Sequence, residues 1–87
     1  MNIIAKKIER IYFNQIFSGN KNYEIRKEDD CRYEVNDILI LKEITDLRES
    51  YTGRIIICRI THVLRDFKGL SDGYVALGIK VIHTFNL

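Results

Sequence analysis

Proline is absent from the 87 residues, and no internal repeat or low-complexity tract interrupts them. A proline-rich linker or recognition segment is therefore excluded. Uninterrupted apolar runs are short: Ile38 to Leu41 and Ile55 to Cys58 span four residues each, against the roughly 20 that a bilayer-spanning helix needs. The segment after Met1 places its apolar residues, Ile3-Ile4-Ala5, ahead of Lys6-Lys7, and it is too short to read as a secretory signal. Cysteine is scarce. Cys31 and Cys58 fit no paired metal-ligand spacing and are too few for a disulfide framework, so both are expected as reduced thiols, Cys58 within a buried strand. The expectation is a cytoplasmic protein with no membrane partner, no metal and no cofactor.

Charge of one sign is also lacking. A net charge of +2 does not by itself announce a nucleic-acid binder. Its distribution says more: residues 1–32 carry seven Lys/Arg against five Asp/Glu, residues 33–52 two against five, and residues 53–87 five against two. An acidic middle flanked by basic ends gives a cationic face if the flanks fold onto one side, and a solvated surface of mixed charge if they do not. With 46% hydrophobic and 30% charged residues, the chain is neither disordered nor membrane-embedded, and its length suits one domain with one core.

The chain is organised around Gly19-Asn20-Lys21-Asn22-Tyr23-Glu24-Ile25-Arg26. Before it, Ile8, Ile11, Tyr12 and Ile16 recur at helical spacing, with Phe13 and Phe17 widening the stripe. Glycine at position 19 ends such a helix, because the residue after the last turn often adopts a left-handed conformation that a Cβ opposes. The residues after it read as a strand in which Tyr23 and Ile25 share one face and Glu24 and Arg26 the other. Lys21 has the opposite parity to Glu24 and Arg26. For all three charged groups to meet, the backbone must still be turning between Asn20 and Asn22.

The remaining elements follow in order. Asn2 to Ala5 reads as a short strand. Lys27-Glu28-Asp29-Asp30 is a polar, solvated turn, and Tyr33 to Asp37 turns into the next strand and contains Asn36, a residue type tolerant of a left-handed backbone. Ile38 to Ile44 is a strand whose near-continuous apolar run suggests cover on both faces. Thr45 to Tyr51 is a polar hairpin connection closed by Thr52-Gly53. Arg54 to Leu64 is a long strand with Ile56, Cys58 and Ile60 on one face, and its eleven residues imply a bend or bulge. Arg65 to Asp72 is a loop anchored by Phe67 and Leu70. The last strand, Tyr74 to Ile82, sets Val75, Leu77, Ile79 and Val81 on one face and Tyr74, Ala76, Gly78 and Lys80 on the other. On that nearly bare second face Gly78 marks a bulge or the floor of a binding site. This order predicts an α+β domain: a curved, partly closed sheet of about five strands with one covering helix.

The spacing Gly19-x-Lys21-x-x-Glu24-x-Arg26, preceded by Tyr12-Phe13-x-x-Ile16, resembles the signature of ASCH domains, relatives of the PUA fold. Tyr33-x-Val35-Asn36-Asp37-Ile38-Leu39, Tyr51-Thr52-Gly53-Arg54 and Gly73-Tyr74-Val75-x-Leu77-x-Ile79 extend the resemblance over nearly all of residues 1–87, toward a small ASCH-like family of uncharacterised bacterial and phage proteins. It implies one PUA-like pseudo-barrel domain. Members of such families bind RNA, hydrolyse a modified nucleoside, or have no known activity, so fold alone does not assign a role.

Three functions follow as expectations. The first is an RNA- or nucleotide-binding module with Lys21, Tyr23, Glu24, Arg26, Lys27, Arg54 and Tyr74 around a charged cleft. In it Glu24 and Arg26 bond base edges, Lys21 and other cations including Arg32 hold phosphate, and Tyr23, Tyr33 or Tyr74 stack on bases, Tyr74 foremost. Tyr12 and Phe13 are expected in the core. The competing reading of Lys21, Glu24 and Arg26 is a structural ion pair that pins helix to sheet. The second function is a small hydrolase acting on modified nucleosides or RNA, with Lys21 and Glu24 as catalytic groups. An ASCH enzyme that deacetylates N4-acetylcytidine is similar at Lys21, but the position of its threonine is Glu24 here. Its distant glutamate could correspond only to Asp66 or Asp72, and a carboxylate does not replace the hydroxyl as an acyl-transfer nucleophile. The third is a protein-interaction factor of phage or mobile-element origin that uses a sheet edge such as Asn2 to Ala5. His62, His83 and Ser71 are read as structural.

Overall fold

The computed structural model describes residues 1–86. Five strands and one helix follow in the order β1 (Ile3–Ile8), α1 (Arg10–Phe17), β2 (Tyr23–Lys27), β3 (Ile38–Ile44), β4 (Tyr51–Leu64) and β5 (Tyr74–Phe85). The strands form one mixed sheet in the order β1-β3-β4-β5-β2, curled into a half-barrel. Only β1 and β3 are parallel; the other three pairings are antiparallel. Curling brings the two edge strands toward each other, and two side-chain contacts cross that seam: Arg26 Nη2 donates to the Lys7 carbonyl at 2.9 Å, and Lys6 Nζ pairs with Asp30 at 2.7 Å. Cations laid across a free edge also protect it from pairing with another chain. No helix among the described residues is long and apolar enough to cross a membrane.

The inner face of the sheet and one side of α1 make the core. Leu39, Leu41, Ile56, Cys58, Ile60 and Leu77 are fully buried, and Phe13 and Ile16 close over them from the helix. Burying each such side chain contributes about 1.5–3 kcal/mol. Burial pushes the Cys58 thiol up to about 12, and the Glu24 charge adds to the shift. The register explains the alternation, since Leu39 pairs with Cys58, Leu41 with Ile56, and Ile60 with Ile79.

Several expectations are corrected. β3 is not covered equally on both faces: Leu39, Leu41 and Glu43 are buried while Ile38, Ile40 and Lys42 keep an intermediate exposure, because one helix of eight residues shields only the concave side. β4 and β5 run longer than expected and take in Thr52-Gly53 and residues 83–85. Ile8 ends a strand rather than starting the helix, and Ile11, Tyr12 and Phe17 are exposed. Phe67 does not anchor its loop, and Val81 lies where β5 has run past the core; both are exposed. Tyr33 is fully buried and cannot stack on a ligand; burial pushes its phenol up.

Gly78 marks a bulge. The β4–β5 register shifts between Ile60 and His62, and a Cβ at position 78 would stand 2.9 Å from Thr61 Oγ1 and 3.2 Å from His62 Cβ. A neighbouring strand, not a ligand, occupies the space that glycine leaves. Gly78→Ala is expected to cost about 1–3 kcal/mol through overpacking, read as a lowered midpoint in thermal unfolding. An unchanged midpoint would mean that the bulge relaxes without penalty.

The turn after β2 is exposed at Lys27, Asp29 and Asp30, as a solvated turn should be, but Glu28 is drawn inward. Glu28 takes both arms of Arg65, Nε to Oε1 and Nη2 to Oε2 at 2.9 Å each, and accepts Tyr33 N–H at 2.7 Å. The Arg65 hydrogen bond holds the Glu28 carboxyl below its ordinary value of 4.5, against the opposing effect of burial. A carboxylate whose pKa is depressed by folding stabilises the native state above its unfolded value and loses that contribution as pH falls through the folded one. Acid unfolding should therefore steepen below about pH 4.5, and Glu28→Gln should flatten that limb. An acid limb identical in the variant would contradict this.

Candidate functional site

The site begins at the end of α1. Ser18 N–H bonds Asn14 O, Gly19 N–H bonds Ile16 O at 3.1 Å, and the amides of Asn20 and Lys21 both reach Gln15 O. Gly19 takes φ +86°, a left-handed conformation in which a Cβ would be strained. The backbone is thus still wrapping the helix end at Lys21, and it joins the sheet only where Asn22 O accepts Ile79 N–H at 3.0 Å. This turn removes the parity conflict and brings Lys21 onto the side of Glu24 and Arg26.

In β2 the polar face is the inner one. Glu24 is 4% exposed, whereas Tyr23 and Ile25 are each about half-exposed. The Glu24 carboxylate accepts from Lys21 Nζ at Oε1 and from Arg26 Nε at Oε2, the latter at 2.8 Å. Arg26 also donates to Lys7 O at 2.9 Å. Both carboxylate oxygens of Glu24 are engaged. Its carboxylate holds the two cations side by side.

Above this triad lies a concavity of about 430 Å³, between the end of β1, the start of α1, β2 and the connection from β3 to β4. The Lys21 ammonium stands 4.9 Å from the centre of the Tyr23 ring and 5.4 Å from that of Tyr12, a distance at which ring quadrupoles attract a cation. Four cations, Lys7, Lys21, Arg26 and Arg48, line the concavity against two acids, Glu9 and Glu24. Ile8, Ile25 and Ile44 supply apolar wall. Chemically this is an amphipathic, net-positive pocket with two half-exposed tyrosines in its wall.

Of the residues singled out from sequence, Lys21, Tyr23, Glu24 and Arg26 meet at this pocket; Lys27, Arg54 and Tyr74 do not line it. Lys27 and Tyr74 pair with each other at the opposite end of β2, and the Lys27 stem lies over Gly73. Arg54 is taken up by structure: it clasps buried Glu43 with Nε–Oε1 at 2.9 Å and Nη2–Oε2 at 2.8 Å, bonds Asn14, and covers the Phe13 ring at 4.3 Å. Burial raises the Glu43 pKa, but the Arg54 and Thr52 hydrogen bonds outweigh it and leave the carboxyl low. Arg32 pairs with Glu34 at the surface. Asp66 and Asp72 sit in the β4–β5 connection and do not line the pocket.

The expectation for Tyr12 is overturned. It is 46% exposed and forms one wall of the pocket, because only Phe13 and Ile16 of the helix point inward. Glu9 and Arg48 also line the pocket and pair with each other across 39 positions of sequence. No local signal joins those two; for Tyr12 the half-polar ring at a helix edge was the available cue.

No curated protein matches the chain. The family model described as "Domain of unknown function (DUF3850)" matches residues 5–79, a span that includes every residue lining the pocket. The protein therefore belongs to that family.

Proposed function

We propose that the pocket binds a nucleobase carrying phosphate, as a nucleotide or within single-stranded RNA. The observation that carries the proposal is the Lys21 ammonium held by Glu24 between Tyr12 and Tyr23 in a net-positive concavity. A base stacks on either ring and its phosphate meets Lys21, Arg26 or Lys7, the combination of aromatic face and cation by which single strands are held. The volume of about 430 Å³ falls within the range of small-ligand sites. The half-barrel with one helix and the Gly19-x-Lys21-x-x-Glu24-x-Arg26 spacing support the ASCH and PUA-like resemblance, which points the same way.

The experiment is a fluorescence-anisotropy titration of a labelled single-stranded RNA oligonucleotide at several salt concentrations. Two phosphate contacts give a log–log slope of roughly −1.4, and Lys21→Ala should weaken binding about tenfold or more by removing a charged hydrogen-bond donor. Affinity independent of salt would overturn the proposal. Hydrolysis of N4-acetylcytidine is less well supported, since the lining holds two tyrosines but no serine, threonine, cysteine or histidine. Incubation with that nucleoside is expected to show no turnover.

A further inference from the structure

We infer that Arg48, resting on Glu9, is the residue that takes a backbone phosphate of the ligand, and that the ligand is a phosphodiester-linked chain rather than a lone nucleotide. This rests on the nucleotide-binding reading of the adjoining pocket. Beside the concavity of about 430 Å³ lies a second of about 210 Å³, lined by Arg10, Ile11, Thr45 and Asp46, and the two share Glu9 and Arg48. The ion pair between those side chains is thus the ridge between two adjoining hollows.

Three features make this ridge exchangeable and its arginine deliberate. The pair is open to water, with side chains 63% and 48% exposed, and exposed pairs contribute little to stability. Glu9 occupies the N-cap position of α1, yet its side chain makes no capping bond, so its carboxylate is not committed to the helix. Arg48 itself has φ +61°, uncommon for a residue with a side chain and recurrent at functional sites. The connection is built to hold it there: Thr45 N–H bonds Ser50 O at 2.8 Å, Arg48 N–H bonds Thr45 O at 2.8 Å, and Glu49 N–H bonds Thr45 Oγ1 at 3.2 Å.

A guanidinium fits phosphate as well as carboxylate, through two parallel N–H donors. A phosphate following a base stacked on Tyr12 or Tyr23 can therefore replace Glu9 on Arg48. Release of Glu9 lowers the ridge, and the next unit of the chain enters the smaller hollow beside Arg10. A mononucleotide leaves that hollow empty.

The test uses Glu9→Gln, which keeps shape and removes charge, and Arg48→Asn, since asparagine tolerates the left-handed backbone. The probes are a labelled single-stranded RNA oligonucleotide and uridine 5′-monophosphate as competitor. Glu9→Gln should tighten RNA binding severalfold, because the resting partner no longer competes. Arg48→Asn should weaken it about tenfold and reduce the salt slope by about 0.7. In the Arg48→Asn background the gain from Glu9→Gln should vanish, and the competitor should gain less from Glu9→Gln than RNA does. If Glu9→Gln weakens RNA binding or leaves it unchanged, or if Arg48→Asn keeps the full salt slope, the pair merely fixes the connection and the inference is overturned. Should those results coincide with a binding loss in Lys21→Ala, the pocket reading stands and only the Arg48 role is rejected. A native chain that binds no RNA rejects both. Unchanged thermal midpoints in the variants establish that each comparison is between folded proteins.

Discussion

Glu24→Ala is expected to lower the unfolding free energy by about 3 kcal/mol, the low end of the range for removing one partner of a buried ion pair. Against a total of about 5–15 kcal/mol for a domain, that is a large fraction. The carboxylate is almost wholly buried and answers two cations at once, Lys21 and Arg26, whose side chains are 11% and 21% exposed. Without it, two like charges face each other beside an apolar core. The estimate stays low because both cations keep some contact with water. Urea unfolding measures the loss directly. A loss under about 1 kcal/mol would show that Lys21 and Arg26 swing freely into solvent, and hence that Glu24 does not anchor them. Replacing all three residues by apolar ones of similar size should recover much of the stability, since it is the orphaned charge that costs. That triple replacement should still abolish RNA binding.

Tyr12→Ala and Tyr23→Ala should each weaken RNA binding by roughly 5- to 150-fold, the equivalent of about 1–3 kcal/mol per stacked base, with little change in stability. Their rings are about half-exposed, so truncation removes a ligand contact without opening a core cavity, unlike Phe13→Ala, which should cost about 3–5 kcal/mol of folding. Phenylalanine at either position should retain most of the affinity, because stacking needs the ring and not the hydroxyl. Loss of affinity in the phenylalanine variants equal to that in the alanine variants would assign the contact to the phenol oxygen. Tyr74→Ala, at the start of β5 beside Lys27 and outside the pocket lining, serves as the comparison and should bind as the native chain does.

The parts of this arrangement that lie close in sequence were legible from it. Helical spacing ending at Gly19, the opposed parity of Lys21, and the charged face shared by Glu24 and Arg26 all concern neighbours within one turn or one strand. Their geometry follows from dihedral preferences. Asn36 likewise takes the left-handed backbone expected of it, at φ +76°. The inward direction of the charged face was not legible, because parity separates two faces without saying which one the sheet will curl over. Pairs far apart in sequence were hidden for a related reason. Glu28 with Arg65, Glu43 with Arg54 and Glu9 with Arg48 meet only once strand order and register are set, and no local spacing encodes those. Arg54 shows the consequence: read alone it is a free cation, yet register places it on buried Glu43. Tyr12 is exposed against expectation because a helix of eight residues buries a narrower stripe than its apolar pattern covers, while Tyr33, in the connection from β2 to β3, is fully buried in the core cluster.

Backbone amide NMR of the labelled protein, titrated with single-stranded RNA, tests the pocket most directly. The account predicts that the largest shift changes fall on Tyr12, on Lys21 through Arg26, and on Arg48, while Lys27, Arg54 and Tyr74 stay near their starting positions. Changes that cluster on Lys27 and Tyr74, or that spread evenly over the basic surface with Tyr12 and Lys21 unmoved, would contradict it.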